Sequence, residues 1–215
     1  RNRGVEFTLN WNDRIGKDFT YRVGFNLSDS QAKITKYDLN PDGNIGDHYV
    51  GEKIGEIWGF VTDGFYSTDE EAAGVDNSDI WGGKWLAGDV RYKNLNGDKT
   101  ADGKDIISKG HSKLQDPGDR KIIGNNTARY NYGISLSAEY KNFDFSCLMQ
   151  GVGKRDLMLG GAYFWGFTDE WRTPTTEQLD YWTPDNPNAY YPRQRFGGGG
   201  NFQSQTKYLQ NGAYM

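Results

Sequence analysis

One segment of the 215-residue sequence carries oxygen-bearing side chains at the spacing of a calcium-binding loop. Counted from Asn94, these side chains stand at the positions by which a loop of roughly 12 residues wraps a hard cation. The positions are held by Asn94, Asn96, Asp98, Thr100, Asp102 and Asp105. Lys99 stands where such loops have a glycine. The spacing predicts a candidate Ca²⁺ loop, and the alternative is a polar turn held by its own side-chain-to-backbone hydrogen bonds.

A second set of candidate functional residues is aromatic and lies in a long polar connection. Aromatic planes beside Asp, Asn and Arg suit stacking on a sugar, and they also suit the surface of a protein partner. The residues predicted to contact a ligand or partner are Trp165, Trp182, Tyr190 and Tyr191. The alternative is that these rings form the small core of the connection itself, and composition alone does not separate the two.

Residues typical of enzymes and metal centres are scarce. Cys147 is the single cysteine, and His48 and His111 are the two histidines, which excludes an internal disulfide, a cysteine-rich zinc site and a histidine-dominated metal centre. No G-x-S-x-G nucleophile motif occurs in the sequence. A glycan-cleaving enzyme would need two carboxylates ~5–9.5 Å apart, and the sequence nominates no such pair. The chain is therefore predicted to be no enzyme and to require no cofactor.

Composition and charge exclude further classes. The hydrophobic share is 35%, the formal net charge is −4 and glycines number 29, so neither a Leu/Ala-rich helical protein nor an electrostatic nucleic-acid binder is supported. The mean hydropathy is −0.84, and no apolar run approaches the ~18 residues that a spanning helix needs. A transmembrane helix is excluded by this pattern, whereas a transmembrane strand is not.

The elements that carry these connections are predicted to be strands with one apolar and one polar face. An apolar side chain follows every polar one in two segments joined by a turn. Their apolar positions are Val5, Phe7, Leu9 and Trp11, then Phe19, Tyr21, Val23, Phe25 and Leu27. A longer hairpin is predicted over 130–149, with Lys141 and Asn142 as a two-residue turn in which Asn142 better suits the left-handed conformation.

That turn fixes a register for the second hairpin. Tyr140 lies opposite Phe143, Ala138 opposite Phe145 and Leu136 opposite Cys147 in this pairing. Every apolar residue then falls on one face of the hairpin. Further along the first connection, residues 54–66 are predicted to form an extended hairpin.

Two architectures fit the alternation. One is a secreted, soluble β-sandwich that binds carbohydrate through a calcium loop. The other is an all-β fold that forms part of a large antiparallel transmembrane β-barrel with long extracellular loops, because aromatic residues crowd the strand ends and short turns alternate with long connections. The second is favoured, since a compact sandwich rarely holds such long connections. Its strands are predicted near 3–11, 19–28, 128–140, 143–152 and 206–215, and its extracellular loops near 29–127 and 153–205.

Five separated blocks resemble the C-terminal barrel region of SusC/RagA-type TonB-linked outer-membrane transporters. They occur in the order expected for that family and span nearly the whole chain. The blocks are Arg3–Phe7 with Trp11, Gly88-Asp89 with Tyr92 and Leu95–Asp98, Phe143–Phe145 with Gln150–Gly153, Tyr181–Ala189 with Pro192-Arg193, and Tyr208–Tyr214. The family loop has Asp-Gly where this sequence has Asp98-Lys99, which weighs against calcium.

The resemblance implies a location and a function. It implies the bacterial outer membrane, energised import of oligosaccharides or peptides, a SusD-like lipoprotein over the loops, and TonB acting through a plug domain that is absent from residues 1–215. Outer-membrane lipid is an implied partner and nucleic acid is not. Both ends of the sequence are expected to be cut. Because an open sheet edge is costly in lipid, these strands are expected to pair with the rest of a barrel.

Overall fold

Strands dominate the computed structural model, which describes residues 1–169, 171–196 and 199–215. The strands are β1 (Asn2–Ile15), β2 (Phe19–Ala32), β3 (Glu56–Phe60), β4 (Thr62–Phe65), β5 (Val75–Asp76), β6 (Val90–Tyr92), β7 (Asp105–Ile106), β8 (Arg120–Asn125), β9 (Arg129–Tyr140), β10 (Phe143–Lys154), β11 (Asp156–Met158) and β12 (Leu209–Asn211). The helices are α1 (Asp69–Ala73), α2 (Ala162–Trp165) and 3₁₀ turns at Thr176–Leu179, Gly199–Phe202 and Thr206–Tyr208. The all-β class is confirmed. Within these described ranges, no helix is both long and apolar enough to cross a membrane.

Four long strands form one antiparallel sheet in the order β1-β2-β9-β10. The predicted register of the β9–β10 hairpin is confirmed, with Tyr140 opposite Phe143 and Leu136 opposite Cys147. Strands β2 and β9 are neighbours although residues 33–128 separate them in sequence, and Val23 lies opposite Leu136 in this pairing. Alternation restricts these registers, because a slip by one residue would turn every apolar side chain to the other face.

One face of this sheet is apolar across all four strands. Its rows are Ile15 with Phe19, Tyr140 and Phe143; Asp13 with Tyr21, Ala138 and Phe145; Trp11 with Val23, Leu136 and Cys147; Leu9 with Phe25, Ile134 and Met149; and Phe7 with Leu27, Tyr132 and Gly151. Nothing in the described ranges covers the outer rows, since Phe7, Trp11 and Phe143 expose 53%, 56% and 78% of their surface. The sheet therefore presents an apolar surface to its surroundings.

The opposite face is polar. Typical rows are Asn12 with Arg22, Ser137 and Ser146, and Arg14 with Thr20, Glu139 and Asp144. Small side chains near Gly24 leave an open groove of about 590 Å³ on this face. The sheet therefore has one polar face and one exposed apolar face.

The two turns that join the paired strands are short. Gly16 opens the β1–β2 turn with φ +67°. In the β9–β10 turn, the left-handed residue is Lys141, with φ +54°, so the prediction for Asn142 is wrong. The backbone N–H of Lys141 donates to the carbonyl of Asp18 at 3.2 Å. This bond ties the two turns together and leaves Lys141 as the residue that takes the unfavourable backbone conformation.

Two other segments differ from the sequence predictions. Residues 54–66 contain β3 and β4, but β3 pairs with β8 and β4 pairs with β6, so the predicted hairpin does not form. The predicted strand over 206–215 is largely replaced by a 3₁₀ turn and the short strand β12, followed by an isolated bridge between Tyr214 and Val152. In this 3₁₀ turn the Tyr208 side chain is fully buried and packs against Phe164 and Trp165 of the connection.

The long connections leave the sheet at one end of its strands, and we call them the cap (33–128, 155–169, 171–196 and 199–208). The cap has a hydrophobic core formed within its first connection. That core consists of Phe60, Tyr66, Ala72, Ile80, Trp85, Val90, Tyr92 and Ile107. Helix α1 begins at a Thr68 cap, whose hydroxyl accepts the N–H of Glu71. The chain thus buries its aromatic core in the loops and leaves the apolar sheet face open.

Candidate functional site

The predicted calcium loop forms a tight turn in the cap. Its donors and acceptors bond to one another: Gly97 N–H donates to Asn94 Oδ1 at 2.6 Å, and Asp98 N–H donates to Asn96 Oδ1 at 2.9 Å. The hydroxyl of Thr100 donates to Asp102 Oδ1 at 2.6 Å. These contacts are those of the alternative interpretation, a polar turn held by its own side chains.

Lys99 already pairs with one of the candidate calcium ligands, Asp105. Its ammonium donates to Asp105 Oδ1 at 2.7 Å, and the Asn94 amide reaches the same oxygen at 3.2 Å. These two bonds hold the pKa of Asp105 below its usual value. Among the residues described, no group of three or more His, Cys, Asp or Glu is arranged to hold a metal ion. The calcium loop therefore stays a prediction, and Ca²⁺ would have to displace Lys99.

A buried carboxylate that the sequence did not single out shapes the same turn. Asp119 is fully buried, and its oxygens accept the backbone N–H groups of Leu95 at 2.6 Å and Ser108 at 2.7 Å. Asp119 thus pins both ends of the polar segment. A backbone-capping role of this kind has no sequence signal beyond the residue type.

The structure places the four predicted aromatic contacts mostly inside the cap. Trp165 stacks on Phe202 with ring centroids 4.7 Å apart. Trp165, Trp182 and Tyr191 are buried, and Tyr190 is half-buried with its ring edge-on to Tyr191. This arrangement matches the alternative of a small core within the connection. A direct ligand contact by these residues stays a prediction, with Tyr190 the most accessible of the four.

Other aromatic and apolar side chains of the same connection are exposed. Tyr163 and Trp171 expose 88% and 86% of their surface, and Leu179 is also largely exposed. The guanidinium of Arg172 lies 5.7 Å from the centroid of the Tyr163 ring. We call Tyr163, Trp171, Arg172 and Leu179 the aromatic patch. Sequence reasoning did not select these residues, because nothing in the local pattern distinguishes an exposed tryptophan from a buried one.

A buried glutamine holds the segment that displays the aromatic patch. Gln178 Nε2 donates to the carbonyls of Tyr163 at 2.7 Å and Phe164 at 2.8 Å, while its Oε1 accepts from Thr175 N–H at 2.8 Å. The side chain is almost fully buried and its polar atoms are satisfied. The patch is therefore carried on an ordered support.

The two connections of the cap are joined by an ion pair around Asp89, which we call the latch. Asp89 is buried, and its carboxylate accepts from Arg195 Nε at 2.6 Å and from Asn201 Nδ2 at 3.0 Å. Its second oxygen also contacts the Arg195 guanidinium and accepts the N–H of Leu86 at 2.8 Å. A buried carboxylate with this many donors is well satisfied.

Residues beside the latch explain why a glycine precedes Asp89. Gly88 has φ +85°, and a Cβ there would lie 2.3 Å from Cε3 of Trp182. Its carbonyl accepts the N–H of Arg193 at 2.8 Å. Only glycine fits this close approach. The Gly88-Asp89 and Pro192-Arg193 motifs thus meet in space, which the sequence did not reveal.

Further contacts extend the junction along residues 200–207. Tyr92 donates its hydroxyl to the carbonyl of Gly200 at 2.9 Å, and burial raises the pKa of Tyr92 well above its usual value. The ammonium of Lys207 lies 4.6 Å from the centroid of the Phe65 ring, and burial lowers its pKa. The two connections therefore form one folded body.

Comparison with known proteins supports the resemblance drawn from the sequence. No family model matches the chain. The whole chain is 26% identical, over 235 aligned residues, to 20% of the TonB-dependent receptor P3 of Formosa agariphila. The chain thus spans about a fifth of the length of that relative.

Solved structures share the fold. The RagAB peptide transporter has a chain that matches 99% of this one with a TM-score of 0.63 at 18% identity, using 21% of its own length. The RagAB peptide importer matches 99% of this chain and 21% of its own in two states, "closed-closed" (TM-score 0.60, 18% identity) and "open-open" (0.61, 16%). The resemblance to SusC/RagA-type transporters is confirmed, as is the predicted location in the bacterial outer membrane. These relatives are a receptor and transporters rather than enzymes.

Removal of the latch carboxylate should loosen the cap. We expect Asp89→Ala to destabilise the cap by about 3 kcal/mol, because it leaves the Arg195 guanidinium buried without its partner. Hydrogen exchange of the amides of residues 85–92 and 190–196 measures this change. The matched control is Asp38→Ala, which removes an exposed carboxylate paired with Lys36 and should change nothing. Equal protection in both variants would contradict the latch.

The calcium prediction is tested by titration of the protein with Ca²⁺ in a calorimeter. If the loop binds Ca²⁺, Lys99→Gly should tighten binding several-fold, because it frees the Asp105 carboxylate and supplies the glycine of such loops. Asp98→Ala should abolish the heat of binding. Identical heats for the unaltered protein and Asp98→Ala would exclude a Ca²⁺ site in this loop.

Proposed function

We propose that this chain forms part of the wall and of the extracellular cap of a TonB-dependent outer-membrane importer. The observation that carries the proposal is the four-stranded sheet with a polar face and an exposed apolar face. In a barrel wall the apolar face meets lipid and the polar face lines the lumen. The short turns at Gly16 and Lys141 then face the periplasm, and the cap faces the exterior.

The height of the apolar band supports this orientation. From Val5 to Ile15, ten residue steps of ~3.4 Å give ~34 Å along the strand. A strand tilted by ~40° would therefore cover ~26 Å of membrane depth, close to the ~25 Å apolar band of outer-membrane barrels. The lowest row, with Phe19, Tyr140 and Phe143, has the composition of an aromatic girdle.

The same face argues against the soluble β-sandwich. A sandwich buries the apolar face of each sheet against a second sheet. In the described ranges the side chains of Val5, Leu9 and Phe145 expose 69%, 54% and 59% of their surface. In water such a patch would drive association, and in a bilayer it is the surface that lipid covers.

The proposed cargo is an oligosaccharide or a peptide, taken up with TonB acting through a plug domain. The solved relatives are named as peptide transporters or importers, which supports a peptide for this fold. We propose that a SusD-like lipoprotein covers the cap and contacts the aromatic patch. Exposed Trp, Tyr and Arg side chains are the types that dominate binding energy at protein interfaces.

The membrane role of the sheet is tested by a matched pair of substitutions in β1. Leu9→Arg should destabilise the intact transporter in bilayers by about 2–4 kcal/mol, because it places a charge near the middle of the lipid-facing band. Thr8→Arg puts the same charge on the polar face and should change stability by under about 0.5 kcal/mol. Urea titration in liposomes measures both. Recovery of the unaltered protein in the soluble fraction without detergent would refute the proposal.

The aromatic patch is tested by two tryptophan substitutions. Trp171→Ala should weaken binding of the partner lipoprotein by about tenfold or more and leave hydrogen exchange of the cap unchanged, because the Trp171 side chain is largely exposed. Trp182→Ala should instead destabilise the cap by about 3 kcal/mol, since Trp182 is buried against Gly88. Co-purification of the lipoprotein with each variant measures the first effect. If the Trp171→Ala variant binds the lipoprotein with unchanged affinity, the aromatic patch is not part of the interface.

A further inference from the structure

The lower edge of the apolar face ends in a row of large side chains. Ile15, Phe19, Tyr140 and Phe143 lie side by side across the four strands. Phe143 and Ile15 are among the most exposed apolar residues of the sheet. Directly below this row come the two short turns, which contain Lys17 and Lys141. Aromatic rings followed by basic side chains are typical of the boundary between hydrocarbon and headgroups.

Lys141 is held in an unusual backbone conformation at this boundary. Its φ is +54°, which favours glycine or asparagine and disfavours a lysine. The N–H bond to the Asp18 carbonyl fixes the turn in that state. A residue that breaks a local rule without a structural gain of its own is a candidate for a functional role.

The side chain of Lys141 points toward the apolar face. Its ammonium lies 5.3 Å from the centroid of the Tyr140 ring, which belongs to that face. Neither Lys17 nor Lys141 forms an ion pair with a carboxylate in the part of the chain described. The Lys141 ammonium is thus displayed on the outward-facing ring with its charge uncompensated.

Carboxylates near the turns do not remove this charge. Glu139 and Asp144 lie on the polar face with Arg14, on the other side of the sheet. Asp13 lies on the apolar face, but its Oδ1 accepts the N–H of Arg14 at 2.7 Å. Asp18 lies in the turn beside Lys17. The ammonium of Lys141 faces the hydrocarbon boundary instead.

We infer that Lys141, with Lys17 in the adjoining turn, binds the negatively charged headgroup of an anionic phospholipid, whose acyl chains lie along the row of Phe143 and Tyr140. The inference rests on the proposed membrane barrel and adds the class of lipid that its periplasmic edge recognises. A basic residue near an anionic lipid surface strengthens binding by about fivefold. The Tyr140 ring keeps the ammonium at headgroup level.

The experiment compares lipid binding by the intact detergent-solubilised transporter and its variants, measured by native mass spectrometry with phosphatidylglycerol or phosphatidylcholine. Lys141→Asn removes the charge and suits the left-handed conformation, so we expect it to fold with an unchanged or higher melting temperature. It should bind phosphatidylglycerol about fivefold more weakly and phosphatidylcholine as before. Lys141→Arg keeps the positive charge and should bind phosphatidylglycerol as tightly as the unaltered protein. Lys17→Asn should weaken phosphatidylglycerol binding while Lys141 stays in place.

The matched control is Lys36→Asn. It removes an exposed lysine of the cap, at the end of the strands opposite the two short turns. Equal affinity of the unaltered protein and Lys141→Asn for phosphatidylglycerol would overturn the inference. An equal loss in Lys36→Asn, or an equal loss of phosphatidylcholine, would overturn it as well, because either result means that no headgroup is recognised at Lys141. These outcomes are separate from failure of the barrel, which appears as detergent-independent solubility.

Discussion

The exposed apolar face of the β1-β2-β9-β10 sheet is the constraint on which the rest of the structure depends. Burial of apolar area is the main stabilising term in water, yet the outward side chains of this sheet, such as Leu9 and Phe145, remain uncovered. In the proposed barrel a bilayer supplies the missing environment, because lipid covers apolar side chains while the strands satisfy one another's backbone groups. The polar opposite face of the sheet fits a water-filled lumen in the same proposal.

The cap differs from the sheet, because it buries apolar side chains in a core of its own. Its core gathers Phe60, Trp85 and Tyr92, and buried side chains such as Asp89, Asp119 and Gln178 find hydrogen-bond partners. Among the described residues, Asn77 Oδ1 and Thr168 Oγ1 are buried without a partner. Arg195 reaches Asp89 across 106 residues of sequence. The loops are therefore tied to each other rather than only to the strands from which they emerge. The core of the cap is formed by residues of the connections alone, which fits the proposal that the cap presents side chains to a partner.

The two hairpins of the sheet were predictable from the sequence because their determinants are local, whereas the pairing of β2 with β9 joins segments separated by residues 33–128. The alternation of apolar and polar side chains places Leu136 and Cys147 on the same face. The two-residue turn then determines which residues of the two strands lie opposite each other. The cap was not predictable in this way, since the pairing of β3 with β8 and of Gly88 with Trp182 depends on contacts between distant segments. Trp165 and Trp171 lie six residues apart, and one is buried while the other is exposed. No periodicity distinguishes them.

Lys99 and Lys141 illustrate how one residue changes the meaning of a pattern. Around Asn94 the oxygen spacing of a cation loop is present, but the ammonium of Lys99 already neutralises Asp105, so the turn is complete without an ion. In the β9–β10 turn the pattern favoured Asn142 as the left-handed residue, yet the turn places Lys141 there. A left-handed lysine costs about 1–2 kcal/mol relative to its preferred conformation, and the Asp18 carbonyl offsets part of that cost. In the proposed barrel this turn carries the Lys141 ammonium beside the Tyr140 ring, on the outermost row of the apolar band, and an asparagine at the same position would supply no charge there.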